Sequence, residues 1–150
     1  MRRLSRKKGS VKAKRKVIDG IEFASSLEAF TYSKLKEAKL DFDYEGESFT
    51  ILPSFKYEGT YLSSSPKKKA LTDKTAKTVR AITYKPDFVS HTHKFVIETK
   101  GFVPSNHSFP LRWKLFMQYM QESNMGDYSL YIPKNQGQVT EIIETIKNKS

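Results

Sequence analysis

Two β-rich runs, VRAITYKPDFVS and KFVIETKGF, are separated only by His91-Thr92-His93. Their β-branched and aromatic content predicts central strands buried on both faces, so layers must cover both sides of whatever sheet they form. A turn closed near His91 and Thr92 makes them a hairpin that sets Asp87 opposite about residue 96, one diagonal step from Glu98. Alternation along the second run sends Glu98 and Lys100 to one face, about 7 Å apart. Two carboxylates and a lysine thus converge inside an apolar sheet. Gathered carboxylates repel each other and lose hydration, which a divalent cation with oxygen preference relieves. An ion pair at a sheet edge is the plainer reading of Glu98 and Lys100, but such pairs contribute only about 0 to 1 kcal/mol and do not account for charges interrupting a central strand.

Around these runs the order is helix, strands, helix, strand, helix. Ser25 and Glu28 form a capping box that starts a helix over about 25 to 39, with Leu27, Phe30, Leu35 and Ala38 near one face. LDFDYE and ESFTILPSF read as strands joined by a turn at Glu45-Gly46-Glu47, and the segment opening IDGIEF starts with a short extended stretch. SFPLRWKLFMQYMQESN has Pro110 in the first turn of a second helix, with Leu111, Leu115, Tyr119 and Met120 spaced for packing. Trp113 and Phe116 read as core. DYSLYIP is a further strand, and the terminal helix places Val139, Ile142, Ile143 and Ile146 on one side. The expected fold is α/β, a mixed sheet flanked by helices. At 150 residues it is one domain over 17 to 150, interrupted by a lysine-rich, mobile insertion or extended hairpin at 57 to 80.

Charge is uneven. Of 27 basic residues, nine fall within residues 1 to 16, which contain no acid; the remaining 134 residues hold 18 basic against 16 acidic. Arg2, Arg3, Arg6, Lys7, Lys8, Lys12, Lys14, Arg15 and Lys16 make a basic arm too charged to pack, disordered until it meets a polyanion. Phosphate backbones suit it, since neutralising them releases counterions. A solubilising or membrane-surface tail is the alternative, but the arm lacks bulky apolar residues. The lysine-rich insertion is a second phosphate-contacting surface or a solvated loop. With no cysteine the chain has no disulfide, thiolate zinc site or thiol nucleophile. No apolar run is long enough for a membrane span, and no apolar stretch follows the N-terminal basic residues as in a secretory signal, so a cytoplasmic protein is expected. Glycine-rich phosphate loops, Ser-His-Asp sets and zinc-finger spacings are absent from the sequence. His91 and His93 are a two-residue set without a third ligand and read as a solvated turn. His107 is a phosphate contact or an ordinary loop histidine.

Pro86-Asp87, a ten-residue gap, then Glu98-Thr99-Lys100 resembles the PD-(D/E)XK signature of restriction-endonuclease-like nucleases. FASSLEAFTYSKLKEAKLDFDYE is similar to the opening helix and strand of bacteriophage endonuclease I, a Holliday-junction resolvase, and of related small phage nucleases, through Phe23, Ser25, Leu27, Glu28, Leu35, Phe42, Tyr44 and Glu45. The resemblance spans about 22 to 116, except for the lysine-rich segment. It implies a restriction-endonuclease-like fold and a metal-dependent DNA endonuclease, acting on branched DNA as a homodimer, in the bacterial host cytoplasm if phage-encoded. It needs Mg²⁺, with Mn²⁺ able to substitute, and no organic cofactor or membrane. Asp87 would bridge or ligate metal, Glu98 and the Thr99 carbonyl would be ligands, and Glu28 the helix-borne carboxylate, although helix capping alone also explains Glu28. Lys100 would orient the attacking water. Arg80, Lys85, Arg112 and Lys114 would join the arm in binding DNA; a basic helix face also explains the last two. The alternatives are a DNA-binding or virion packaging protein that keeps the fold without catalysis, and a nicking or restriction-like enzyme. Deleting residues 1 to 16 is expected to flatten the slope of log affinity for DNA against log salt; an unchanged slope removes the arm from the interface.

Overall fold

The computed structural model describes residues 15–100 and 108–149, apart from the side chain of Lys68. It is a mixed α/β fold with three helices and several small sheets. The chain enters through β1 (Lys16–Ile18) and β2 (Ile21–Phe23), an antiparallel hairpin. Sequence reading missed it as a hairpin, although its turn is Asp19-Gly20, both at positive φ, 52° and 76°. That is the dipeptide a two-residue hairpin turn favours. Lys16 therefore belongs to a strand, and Arg15 pairs with Glu22 at 3.5 Å, so these two residues are part of the folded hairpin and not of a free arm.

Helix α1 (Ser26–Glu37) follows, capped by Ser25, whose Oγ accepts the Glu28 N–H at 3.1 Å. Next come β3 (Asp43–Tyr44), β4 (Phe49–Leu52), β5 (Phe55–Lys56), β6 (Leu62–Ser65), β7 (Lys68–Asp73), β8 (Thr78–Val79) and β9 (Ile82–Tyr84). The expected hairpin consists of β10 (Phe88–Ser90) and β11 (Phe95–Ile97); α2 (Phe109–Glu122), β12 (Ser129–Tyr131) and α3 (Gln136–Asn148) complete the chain.

The principal sheet has the order β12-β11-β10-β3, with β11 and β12 parallel and the other pairs antiparallel. Every residue of β10 and β11 is buried. Phe88, Phe95 and Ile97 join a cluster with α1 and α3 residues Leu35, Val139, Ile143 and Ile146. Val89 and Val96, alternating with them, join Phe49, Ile51 and Tyr84 under α2 residues Phe116 and Met120. The two faces are covered by different elements, as continuous apolar strands require. On α2 the buried pair is Phe116 and Met120, with Trp113 half-buried beside them, whereas Leu111, expected to pack, is exposed.

The lysine-rich segment is an extended hairpin. β4 pairs with β9, β5 with β8 and β6 with β7, so residues 49–84 form an antiparallel ribbon folded back at Pro66-Lys67. Only its base, at β4 and β9, joins the core. Phe95→Ala should cost about 3 to 5 kcal/mol in denaturant unfolding, and Phe55→Ala, on the ribbon, within about 0.5 kcal/mol of zero; equal costs would contradict this division into core and ribbon.

Candidate metal centre

Three acids stand in one row across three strands. β10 opens after Pro86-Asp87, and Pro86, without an N–H, cannot extend the backbone ladder. Phe88 pairs with Ile97 on one side and Tyr44 on the other, so the next positions outward are Asp87, Glu98 and Glu45. The hairpin register thus differs from expectation by two residues. Its turn takes four residues, 91–94, with Lys94 at φ 51°, and Asp87 comes level with Glu98, not residue 96.

Side chains continue the pairing where the ladder stops. The Asp87 N–H donates to Glu98 Oε2 at 3.2 Å. Asp87 Oδ2 accepts from the Thr99 N–H at 2.8 Å and the Thr99 hydroxyl at 2.7 Å. On the other flank the Glu45 N–H donates to the Asp87 carbonyl at 2.8 Å, with Glu45 in the left-handed region at φ 47°.

Glu28 arrives from the first turn of α1, where the helix dipole favours a carboxylate. It is buried, and accepts hydrogen bonds from the Ser25 hydroxyl at 3.3 Å and the Tyr44 hydroxyl at 2.6 Å. Glu28, Glu45 and Asp87 each offer a carboxylate oxygen, all within 4.8 Å of one another. Glu45 was not among the ligands expected from sequence. Its place depends on β3 pairing with β10, which no local pattern announces.

Glu98 is buried beside this cluster. Its Oε2 also accepts the Tyr84 hydroxyl at 2.7 Å, and its Oε1 lies 3.0 Å from Lys100 Nζ, which sits 4.0 Å over the Phe109 ring. Three carboxylates thus cluster beside a fourth, Glu98, and Glu98 is the one that Lys100 pairs with. Burial, then the charge of Glu98, pushes the Asp87 carboxyl up to about 7. Burial and the adjacent carboxylates hold the Tyr44 and Tyr84 hydroxyls well above their ordinary range, so both remain donors. The donor set is all oxygen and short of positive charge, which fits Mg²⁺ or Mn²⁺.

The basic residues expected to meet DNA lie outside this cluster. Lys16, Arg80, Lys85 and Lys114 are exposed, and Arg112 Nη1 donates to the Thr83 carbonyl at 2.9 Å. Arg2, Arg3, Arg6, Lys7, Lys8, Lys12, Lys14 and His107 fall outside the described residues. His91 is not a freely solvated turn residue: its ring lies between the Tyr128 hydroxyl at 2.7 Å and Glu47 Oε2 at 2.6 Å, tying the hairpin tip to two neighbouring loops. His93 lies over Phe95 instead, so the two histidines do not form a ligand pair.

The raised Asp87 carboxyl makes stability depend on pH. In the unfolded chain an aspartate titrates near about 3.9, whereas in the fold it titrates at about 7. Between these values the folded protein holds a proton that the unfolded chain has lost, so metal-free stability falls as pH rises through the window. Asp87→Asn, in chelator, is expected to raise Tm by a few degrees above pH 7 and to change it little near pH 4. A gain of equal size at both pH values would place its origin elsewhere.

No curated protein and no solved structure matches the chain. One family model does, over residues 8–137, a span that includes all four acids, Lys100 and the whole ribbon. The chain therefore belongs to the family described as proteins of unknown function, DUF1064.

Proposed function

We propose that this chain is a metal-dependent DNA endonuclease of the PD-(D/E)XK type, with the restriction-endonuclease-like arrangement of a mixed sheet between helices. The observation that carries the reading is the row of Glu45, Asp87 and Glu98 across β3, β10 and β11, closed by Glu28 from α1 and accompanied by Lys100. A structural ion-pair network needs no surplus of acids; here four carboxylates gather, Glu28 and Glu98 buried, Asp87 half-buried and Glu45 exposed, beside Lys100. Glu28, Glu45 and Asp87 would hold Mg²⁺ or Mn²⁺, with Glu98 alongside. The bound ion supplies charge neutralisation at the phosphodiester and acidification of a water.

The chain's own residues do the positioning. Thr99 fixes the Asp87 carboxylate with two hydrogen bonds, and Tyr84 and Lys100 fix that of Glu98. The Lys100 ammonium, half-buried between Glu98 and the Phe109 ring, orients the attacking water and steadies negative charge on the phosphate. In the hydrolysis the water oxygen bonds to phosphorus as the bond to the 3′ oxygen breaks, leaving 5′-phosphate and 3′-hydroxyl ends. Branched DNA as substrate, and a homodimer that makes paired cuts, are supported by the likeness of residues 23–45 to junction-resolving nucleases.

Incubating the protein with a labelled four-way junction and its matching duplex is expected to give paired cuts on the junction with Mg²⁺ and none with chelator. Asp87→Asn, Glu45→Gln and Lys100→Met should each lower the rate at least about 10²-fold while remaining folded. Equal cutting of the duplex would assign a nicking or restriction-like enzyme instead. Folded protein that binds both DNAs and cuts neither with any divalent metal would overturn the catalytic reading.

A further inference from the structure

The β5–β8 ribbon is built unlike the rest of the protein. Five of the eight large apolar side chains exposed among the described residues lie on it: Phe55, Tyr57, Tyr61, Leu62 and Leu71. Leu62 pairs with Asp73, and Leu71 lies in the irregular stretch of β7 just beyond the Ser63–Thr72 pair; the two leucines are 48% and 65% exposed. Beyond its base the ribbon runs from Phe55 to the turn at Pro66-Lys67, at most about 40 Å if every residue took full strand rise. Two-stranded ribbons without a supporting layer are marginal in water, and apolar residues clustered in the open mark a surface that something covers.

Charge identifies the covering partner. Residues 55–80 carry seven basic side chains against Glu58 and Asp73. Subtracting these and the nine basic residues of 1–16 from totals of 27 basic and 16 acidic leaves 11 basic against 14 acidic for the rest of the chain. The body that bears the candidate metal centre is thus net acidic and gives DNA no general attraction. Residues 1–16 and the ribbon together hold the whole positive excess of the sequence.

We propose that the ribbon is a DNA-binding arm that lies along a groove of the substrate duplex. Its lysines meet the flanking phosphates, and Tyr57, Tyr61 and the two leucines contact sugars and groove walls. The major groove, about 12 Å wide, admits a two-stranded ribbon. Lysines crowd the tip, at Lys67, Lys68 and Lys69, and recur at Lys74 and Lys77, which suits successive phosphate contacts along a groove better than a single anion site. This inference rests on the reading of the chain as a DNA enzyme, and it names how that enzyme holds duplex beyond the scissile phosphate.

The register offers a clean truncation. Lys56 pairs with Thr78, so replacing residues 57–77 by Asn-Gly closes β5 and β8 with a two-residue turn. A second variant keeps the ribbon and changes Lys67, Lys69, Lys74 and Lys77 to Gln. Affinity of the full chain for a duplex and for a four-way junction is measured in chelator, without cleavage, across about 50 to 200 mM salt. Both variants are expected to bind at least about 10-fold more weakly, with the slope of log affinity against log salt reduced by about 2 or more. Unchanged affinity and slope in both would overturn the proposal while leaving any cleavage by wild type intact. Wild type that binds but never cuts, with binding lost in both variants, sinks the endonuclease reading and upholds the arm. Light scattering separates DNA from a second copy of the chain as the occupant of the ribbon: truncation that splits a dimer without altering the salt slope makes the second copy the partner, and the proposal fails.

Discussion

Asp87 and the residues just past the end of β11 hold each other by three hydrogen bonds: one from the Asp87 N–H to Glu98, two from Thr99 to the Asp87 carboxylate. Proline at position 86 ends the backbone ladder there, and acidic side chains take over the pairing that peptide groups can no longer provide. This substitution explains why charge is tolerated at the rim of an apolar sheet. The carboxylates of Glu28, Asp87 and Glu98 each have defined donors, and those of Asp87 and Glu98 inherit their geometry from the strands. The two tyrosines extend the same logic outward, each presenting one hydroxyl to one acid.

Much of this was legible in the residues. Pro86-Asp87 and Glu98-Thr99-Lys100 stood out because opposite charges interrupted apolar runs. Burial on both faces holds for Phe88–Ser90 and Phe95–Ile97, but the first run is not one strand: it is split into β8, β9 and β10, and residues 79–83 are exposed or half-buried on the ribbon. The Ser25 cap placed α1 almost to the residue. Relations across strands were harder to read. Turn length sets hairpin register, and a four-residue turn through a left-handed lysine moved Asp87 by two positions from where a tighter turn would leave it. Glu45 closed the expected LDFDYE strand and belonged to the family likeness, but the pairing that sets it beside Asp87 was not legible, because a two-residue strand such as β3 carries almost no periodic pattern. The Leu111 error had a similar cause: several apolar residues crowd α2, and spacing alone did not say which stripe faced the sheet.

The acidic centre and the basic appendages are complementary parts of one arrangement. A pocket dense in carboxylates would repel a polyanion approaching unaided. On the proposed reading, cations bound at the centre and lysines held away from it would reverse that field along the path of a nucleic-acid strand. The lysines are displaced to a ribbon of which the base, at β4 and β9, joins the core, so their mutual repulsion falls away from the core, whose aromatic contacts run from Phe23 through Tyr44 to Phe88.

The backbone around the lysine is pinned from the far end of the chain. β11 runs parallel to β12, and beyond the last bridge the Glu98 N–H donates to the Tyr131 carbonyl and the Lys100 N–H to that of Pro133. Parallel neighbours distant in sequence cannot pair until the later one exists. During synthesis, then, Glu98 and Lys100 lack their edge partner until residue 133 has cleared the ribosome, and nascent chains carry the acids and the basic appendages well before they carry an ordered centre.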